Sequence, residues 1–231
     1  MHLHLADYLL WFSIPVIQLG VLFAMSRRCL RHIYPYFFLY TLLSVVAEPV
    51  LFLCHYASYT AYYYAYYANL LISIVLSFAV FLDVFNNAFT LQHPMRHMIG
   101  LMFWSSLAFI LAVLVLRDHR HFNNGPISHL LLLTDRLLRV AQCALLLLLF
   151  FFRKYVGISR RDFIFGVALG FGFFAIFNAL VATISSRHVS FHQSTVSMTN
   201  AIGYLLTASV WLGYALWGSV QPRPLLANAE G

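Results

Sequence analysis

Seven apolar stretches, each long enough to cross a lipid bilayer, constrain the fold of this chain more than any other feature. About 20 apolar residues span the hydrocarbon core, and at that length only a helix satisfies its own backbone in lipid. Of the 231 residues, 62% are hydrophobic and 9% are charged, whereas soluble domains carry about 25% charged residues. The sequence therefore predicts an all-α, multi-pass membrane protein forming one bundle of seven transmembrane helices. The predicted spans are about Asp7–Met25, Tyr34–His55, Tyr63–Phe85, Ile99–Leu116, Leu130–Phe152, Phe163–Ile184 and Met198–Ser219.

The distribution of lysine and arginine predicts the orientation of these spans. Nine basic residues fall in loops one, three and five and the C-terminal tail, and three fall in loops two, four and six. Because basic loops stay in the cytoplasm, we expect the N-terminus outside and the C-terminus, with the short tail 222–231, inside. Arginines follow the first apolar stretch, as in a retained anchor rather than a signal peptide. Short loops and the lack of appended domains favour the inner membrane of a bacterium over a eukaryotic membrane.

Charged residues inside two predicted spans are candidates for a functional site. A charge in a span costs about 2.5–3.5 kcal/mol on insertion scales unless it has a partner. Glu48 in span two matches the predicted depth of Asp135 and Arg139 in span five, which lie four residues apart and can pair, with Gln142 continuing their face. We hypothesise a Glu48–Arg139–Asp135 cluster, with Arg136 extending outward. Such a cluster either locks the two helices together or lines an outer cavity that binds a polar ligand or handles protons.

The third predicted span carries a stripe of polar side chains within an arc of about 120°. A polar stripe must face other helices or water, and hydroxyl and amide groups commonly hold membrane helices together. Asp83 falls at the inner end, where we expect a surface ion pair with cytoplasmic arginines. The stripe consists of Tyr62, Tyr66, Asn69, Ser73, Ser77 and Asp83.

Histidines are concentrated on the predicted outer side of the membrane. Imidazole changes charge near neutral pH and is the commonest metal ligand, so these residues suggest a pH or metal site. The alternative is that they are ordinary polar residues of the membrane interface. The strongest candidates are His119, His121, His188 and His192.

Several function classes are excluded or disfavoured. The net charge of +7 does not indicate nucleic-acid binding, because the arginines sit in short loops rather than on one soluble face. The only lysine, Lys154, lies in a predicted loop, so a retinal Schiff base is excluded. No serine-hydrolase elbow, zinc-protease helix or phosphate-binding loop occurs. We therefore expect no cofactor and no assembled catalytic set.

These features predict a receptor-like or partner-associated module with a polar cavity between helices two, three and five. It would sense a small ligand, proton or metal ion and signal through a separate membrane or cytoplasmic partner. The alternative is a small secondary transporter that uses Glu48 and Asp135 as proton or substrate sites. The apolar inner halves of spans four to seven favour a one-sided site over a path through the membrane. The oligomeric state is left open.

Overall fold

The computed structural model describes residues 5–88, 150, 159–187 and 193–219. Within these ranges the chain is helical, and no β-strand forms. The third and fourth of its α-helices are separated by residues 89–162, so the predicted fourth and fifth spans fall outside the described residues, apart from position 150. A short 3-10 turn, Leu30–His32, follows the first helix. The α-helices are α1 Leu5–Arg27, α2 Pro35–Ala57, α3 Tyr59–Ala88, α4 Phe163–Arg187 and α5 Gln193–Trp217.

Three helices are long and apolar enough to cross a membrane: Pro35–Ala57, Tyr59–Phe81 and Phe163–Val181. The α1 helix contributes a shorter apolar segment, Phe12–Arg27. Many large apolar side chains of these helices point outward, among them Val16 and Leu53. An extensive exposed apolar surface is unusual on a soluble monomer and suits contact with lipid. The expectation of an all-helical membrane protein is therefore confirmed for the described residues, which include three helices able to span a membrane.

The five helices form a closed ring. The α2 helix packs between α1 and α3, α4 packs between α3 and α5, and α5 closes the ring against α1. Two glycines allow close contact of α4 with α5. A methyl group at Gly166 would overlap the Tyr214 ring, and one at Gly170 would overlap the Trp211 indole. Gly166 and Gly170, which lie four residues apart, therefore form a close helix contact within the chain.

Hydrogen bonds bring the ends of all five helices to one end of the ring. Arg28, just after α1, donates to the carbonyl oxygens of Ala215 and Gly218 at the end of α5. The Ser219 hydroxyl donates to Asp162, which precedes α4. Since cations stabilise helix C-termini, Arg28 acts as a cap for the last carbonyl oxygens of α5. We call this the basic end, because it also carries Arg27, Arg28, Arg31, Arg160 and Arg161.

Asp83 lies at the same end but not at the surface. It is 8% exposed, and its Oδ2 accepts a hydrogen bond of 2.9 Å from the Tyr36 amide. Pro35 occupies the first turn of α2, where its missing N–H costs nothing, and the carboxylate satisfies the next free donor. Asp83 is therefore a buried helix cap supplied from a neighbouring helix, and does not lie at the surface where the sequence placed it.

The turn between α2 and α3 is shorter than predicted. Only Ser58 separates the two helices, and its hydroxyl accepts from the Ala61 amide as an N-cap. Seven tyrosines surround this turn on helical segments rather than in a loop. We call this opposite end of the ring the tyrosine end; its members are Tyr56, Tyr59, Tyr62, Tyr63, Tyr64, Tyr66 and Tyr67.

Candidate functional site

A cavity of about 370 Å³ lies between α2, α3, α4 and α5. Its walls combine one carboxylate, two amides and several hydroxyls with aromatic rings. This size is at the lower end of the range of ligand pockets, about 300–1,000 Å³. The described lining residues are Tyr40, Ser44, Ala47, Glu48, Tyr66, Asn69, Leu70, Ser73, Ile74, Ser77, Phe171, Phe174, Asn200 and Tyr204.

The structure brings several predicted residues together in this cavity. Glu48 of α2 lines it together with Asn69, Ser73 and Ser77 of α3. Asp83, the last residue of the predicted stripe, is absent from the described lining and caps α2 instead. The α4 and α5 helices supply the remaining described wall. Predicted residues that lie outside the described part of the chain are Asp135, Arg136, Arg139, Gln142, His119, His121, His188 and His192.

Spacing of four residues explains how α2 and α5 present polar groups to the cavity. Tyr40, Ser44 and Glu48 repeat at this interval, and so do Asn200 and Tyr204. Residues four apart share one face of a helix. The sequence predicted a cavity between spans two, three and five, so the contribution of α5, the predicted seventh span, was not expected. The four-residue interval marks a polar face of α5 but not the helices that this face meets.

A chain of hydrogen bonds connects α1 to the cavity wall. The Gln18 amide Nε2 donates to the Tyr204 hydroxyl over 2.9 Å, and that hydroxyl donates to Ser44 Oγ over 3.0 Å. Ser44 Oγ in turn donates to the Tyr40 carbonyl. Tyr204 therefore joins three helices through one hydroxyl group, and Gln18, which has no exposed surface, depends on it.

Three buried acceptor oxygens have no hydrogen-bond partner among the described residues. They belong to Asn69, Asn200 and Gln18. The first two residues line the cavity. A buried polar atom without a partner is costly and calls for an explanation such as a bound molecule. Two residues of the cavity wall, Asn69 and Asn200, thus carry an acceptor oxygen that a ligand could satisfy.

Glu48 is the single charged residue among the described lining residues, and none of them is basic. It is half-buried and lies close enough to the hydroxyls of Tyr62 and Tyr204 to interact with them electrostatically. Pro49 follows it directly inside α2, and a proline within a helix removes one backbone hydrogen bond. The Glu48 carboxylate therefore dominates the charge of the described wall.

Packed aromatic rings separate the cavity from the basic end. The Trp211 centroid lies 4.9 Å from that of Phe171 and 5.3 Å from that of Phe37. The Tyr40 centroid lies 5.3 Å from that of Phe171, and the Phe81 centroid 5.8 Å. All five side chains are buried. We call this layer the aromatic floor; it consists of Phe37, Tyr40, Phe81, Phe171 and Trp211.

The tyrosine end has a different character. Tyr62 stacks on Tyr66, with 6.2 Å between ring centroids, and also contacts His55. Tyr59 and Tyr64 are strongly exposed. Tyrosine is favoured where a helix leaves the bilayer, because its ring is apolar and its tip is polar. Among the described residues the cavity therefore lies between the exposed tyrosine end and the buried aromatic floor.

In the described part of the chain, no three His, Cys, Asp or Glu residues are grouped closely enough to hold a metal ion. The cavity can instead bind a small molecule through one carboxylate, several hydroxyl and amide groups and aromatic faces. No known protein family, curated protein or solved structure has detectable similarity to this chain.

Proposed function

We propose that the chain is a seven-span protein of a cell membrane, with its N-terminus outside and its C-terminus inside. Two observations support this topology. The α3 helix ends and α4 begins at the same, basic end, as expected if the two predicted spans lie between them in the sequence. The basic end carries five arginines, and the rule for basic loops places it in the cytoplasm. The bacterial inner membrane suits the short loops best.

We further propose that the protein is a receptor-like or partner-associated module whose cavity binds a small polar ligand from outside. The observation that carries this proposal is the aromatic floor beneath a polar cavity. Among the described residues this buried apolar layer lies between the cavity and the basic end, which supports a cavity that opens to one side. A binding module needs access from one face only, whereas a transporter needs access from both. A proton or metal ion remains among the stimuli it would sense.

A separate membrane or cytoplasmic partner would carry the signal. The hydrogen-bond chain from the cavity through Tyr204 to Gln18 offers a physical route. It ties the cavity wall to α1, which packs against both α2 and α5. A ligand that changes the position of Tyr204 would change the contact with α1.

Secondary transport is the alternative, with Glu48 and Asp135 as proton or substrate sites. It is favoured by the polar groups of α3, which continue past the aromatic floor. Ser77 lies at the floor, and Asp83 and Asn87 follow toward the basic end. Movement of α3 against α4 would connect these groups to the cytoplasm.

The two proposals differ in which face of the membrane reaches the cavity. The test places a single cysteine at Ser73, with Cys29, Cys54 and Cys143 replaced by serine. Small membrane-impermeant methanethiosulfonates, one cationic and one anionic, are applied to spheroplasts and to inside-out vesicles. Labelling by either reagent in spheroplasts only is expected for a one-sided outer cavity.

Val80→Cys is the matched control, because Val80 lies two turns further along α3 and has no exposed surface. It is expected to stay unlabelled from both faces. Labelling of the Ser73→Cys protein from both faces would favour the transporter. Labelling in inside-out vesicles alone would reverse the orientation, and no labelling from either face would remove the cavity as a ligand site.

A further inference from the structure

We propose that the ligand of this cavity is a small organic ammonium ion, a cation bearing a short apolar substituent. This inference rests on the proposed outer-facing binding site and adds the chemical class of its ligand. It draws on three independent properties of the wall: its charge, its hydrogen-bonding groups and its aromatic faces.

The charge of the wall calls for a cation. Glu48 is the only ionisable acid among the described lining residues, which include no lysine, arginine or histidine. A carboxylate inside a membrane span needs a counter-charge. The described wall supplies no cation, so the ligand would provide this counter-charge.

The hydrogen-bonding groups call for a donor. The Oδ1 atoms of Asn69 and Asn200 have no partner among the described residues, and the carboxylate of Glu48 is a further acceptor. The terminal torsion of asparagine is soft, so a small rotation turns either oxygen toward a ligand. An ammonium group supplies up to three donors and no acceptor. An anion would instead be repelled by the Glu48 carboxylate.

The aromatic faces suit the rest of such a ligand. Tyr66 and Phe174 line the cavity from opposite helices, with Phe171 at its floor. Aromatic rings attract cations through their faces and cover apolar substituents. A hydrated inorganic ion would gain little from these rings. A volume of about 370 Å³ limits the ligand to a small molecule.

Thermal unfolding of the full-length protein in detergent tests the proposal. The probe is propylammonium chloride, compared at equal concentration with 1-propanol, sodium propionate and sodium chloride. Because a ligand that binds only the folded state raises Tm, we expect propylammonium to raise it by on the order of 2 to 4 °C. The three comparison solutes are expected to have no such effect.

Variants of Glu48 separate binding in the cavity from effects on the detergent. Glu48→Gln removes the charge and is expected to abolish the rise, whereas Glu48→Asp keeps the charge and is expected to retain part of it. Asn200→Leu, which leaves the charge and removes one acceptor, is expected to reduce the rise and serves where Glu48→Gln does not fold. An equal rise with sodium chloride, a rise that survives in a folded Glu48→Gln protein, or an undiminished rise in the Asn200→Leu protein would overturn the proposal.

The outcomes distinguish this inference from the proposed function. Outer labelling of Ser73→Cys without any response to propylammonium would leave the outer cavity intact and eliminate the ammonium ligand. Absence of labelling from both faces would eliminate the outer cavity and the inference together.

Discussion

The Tyr204 hydroxyl of α5 donates a hydrogen bond of 3.0 Å to Ser44 Oγ of α2, and both residues line the cavity. Glu48, the charged residue of the described wall, lies one turn further along α2. The Tyr204 hydroxyl also accepts from Gln18 of α1. One side chain thus connects the ligand cavity to a helix that is not part of its described wall. Loss of this hydroxyl would affect the packing of α1 and, under the proposed function, the transmission of a signal from the cavity.

Tyr204→Phe is expected to lower stability, because it leaves the buried Gln18 amide without its acceptor. The cost of such an unsatisfied group is about 1–3 kcal/mol. The measurement is the free energy of unfolding in mixed micelles titrated with SDS. Tyr64→Phe is the matched control, since Tyr64 is 69% exposed, and it is expected to change stability by less than about 0.5 kcal/mol. Equal effects of the two changes would refute a role for the hydrogen-bond chain.

The contact of α4 with α5 gives a second prediction. Gly170→Ala places a methyl group in the Trp211 indole and is expected to destabilise the fold by about 1–3 kcal/mol, the usual cost of overpacking. At Gly213 no atom of the described residues lies within 4 Å of the position that a Cβ would take. Gly213→Ala is therefore expected to be neutral or stabilising by up to about 1 kcal/mol. The same SDS titration checks both, and a harmless Gly170→Ala would mean that the two helices do not meet there.

Two substitutions of Asp83 distinguish a capping role from a requirement for its charge. As a cap of α2 it needs an acceptor oxygen rather than a charge, so Asp83→Asn is expected to be tolerated. Asp83→Ala leaves the Tyr36 amide unsatisfied and is expected to cost about 0.5–2 kcal/mol. Thermal stability of the two variants provides the check. If both variants destabilise the protein equally, the charge itself is required and the capping role is wrong.

The predicted outer histidines are tested by their response to pH and metal. Imidazole titrates between about pH 5 and 8, and a ligand of the folded state stabilises it. If His188 and His192 form a sensing site, Tm changes across this pH range or with a divalent metal ion, and the double change His188→Ala/His192→Ala removes the response. Identical curves for the two proteins would assign these histidines to the membrane interface.

Apolar length was sufficient to predict the five described helices, because each span must satisfy its backbone alone in lipid. Predicted and observed boundaries differ by a few residues at the ends, where capping by single side chains decides. Ser58 is the clearest case: its hydroxyl caps α3 at once, so α3 begins four residues before the predicted start of span three.

The candidate site was predictable only in part. Glu48, Asn69, Ser73 and Ser77 stood out because polar groups are rare in apolar helices. Their partners on α5 were not identifiable, because which helices share a cavity is set by packing between segments distant in sequence. The cap on α2 had the same cause, since Asp83 acts 47 residues from Tyr36.

The most direct test of the account is whether Glu48 reacts with water-soluble reagents from outside. Spheroplasts are treated with a membrane-impermeant carbodiimide and a small amine, and amide formation at each carboxyl group is measured by peptide mass spectrometry. The account predicts modification of Glu48 and protection of Asp83, which is buried and engaged as a cap. Protection of Glu48 in spheroplasts, together with its modification in inside-out vesicles, would contradict an outer cavity built around this residue.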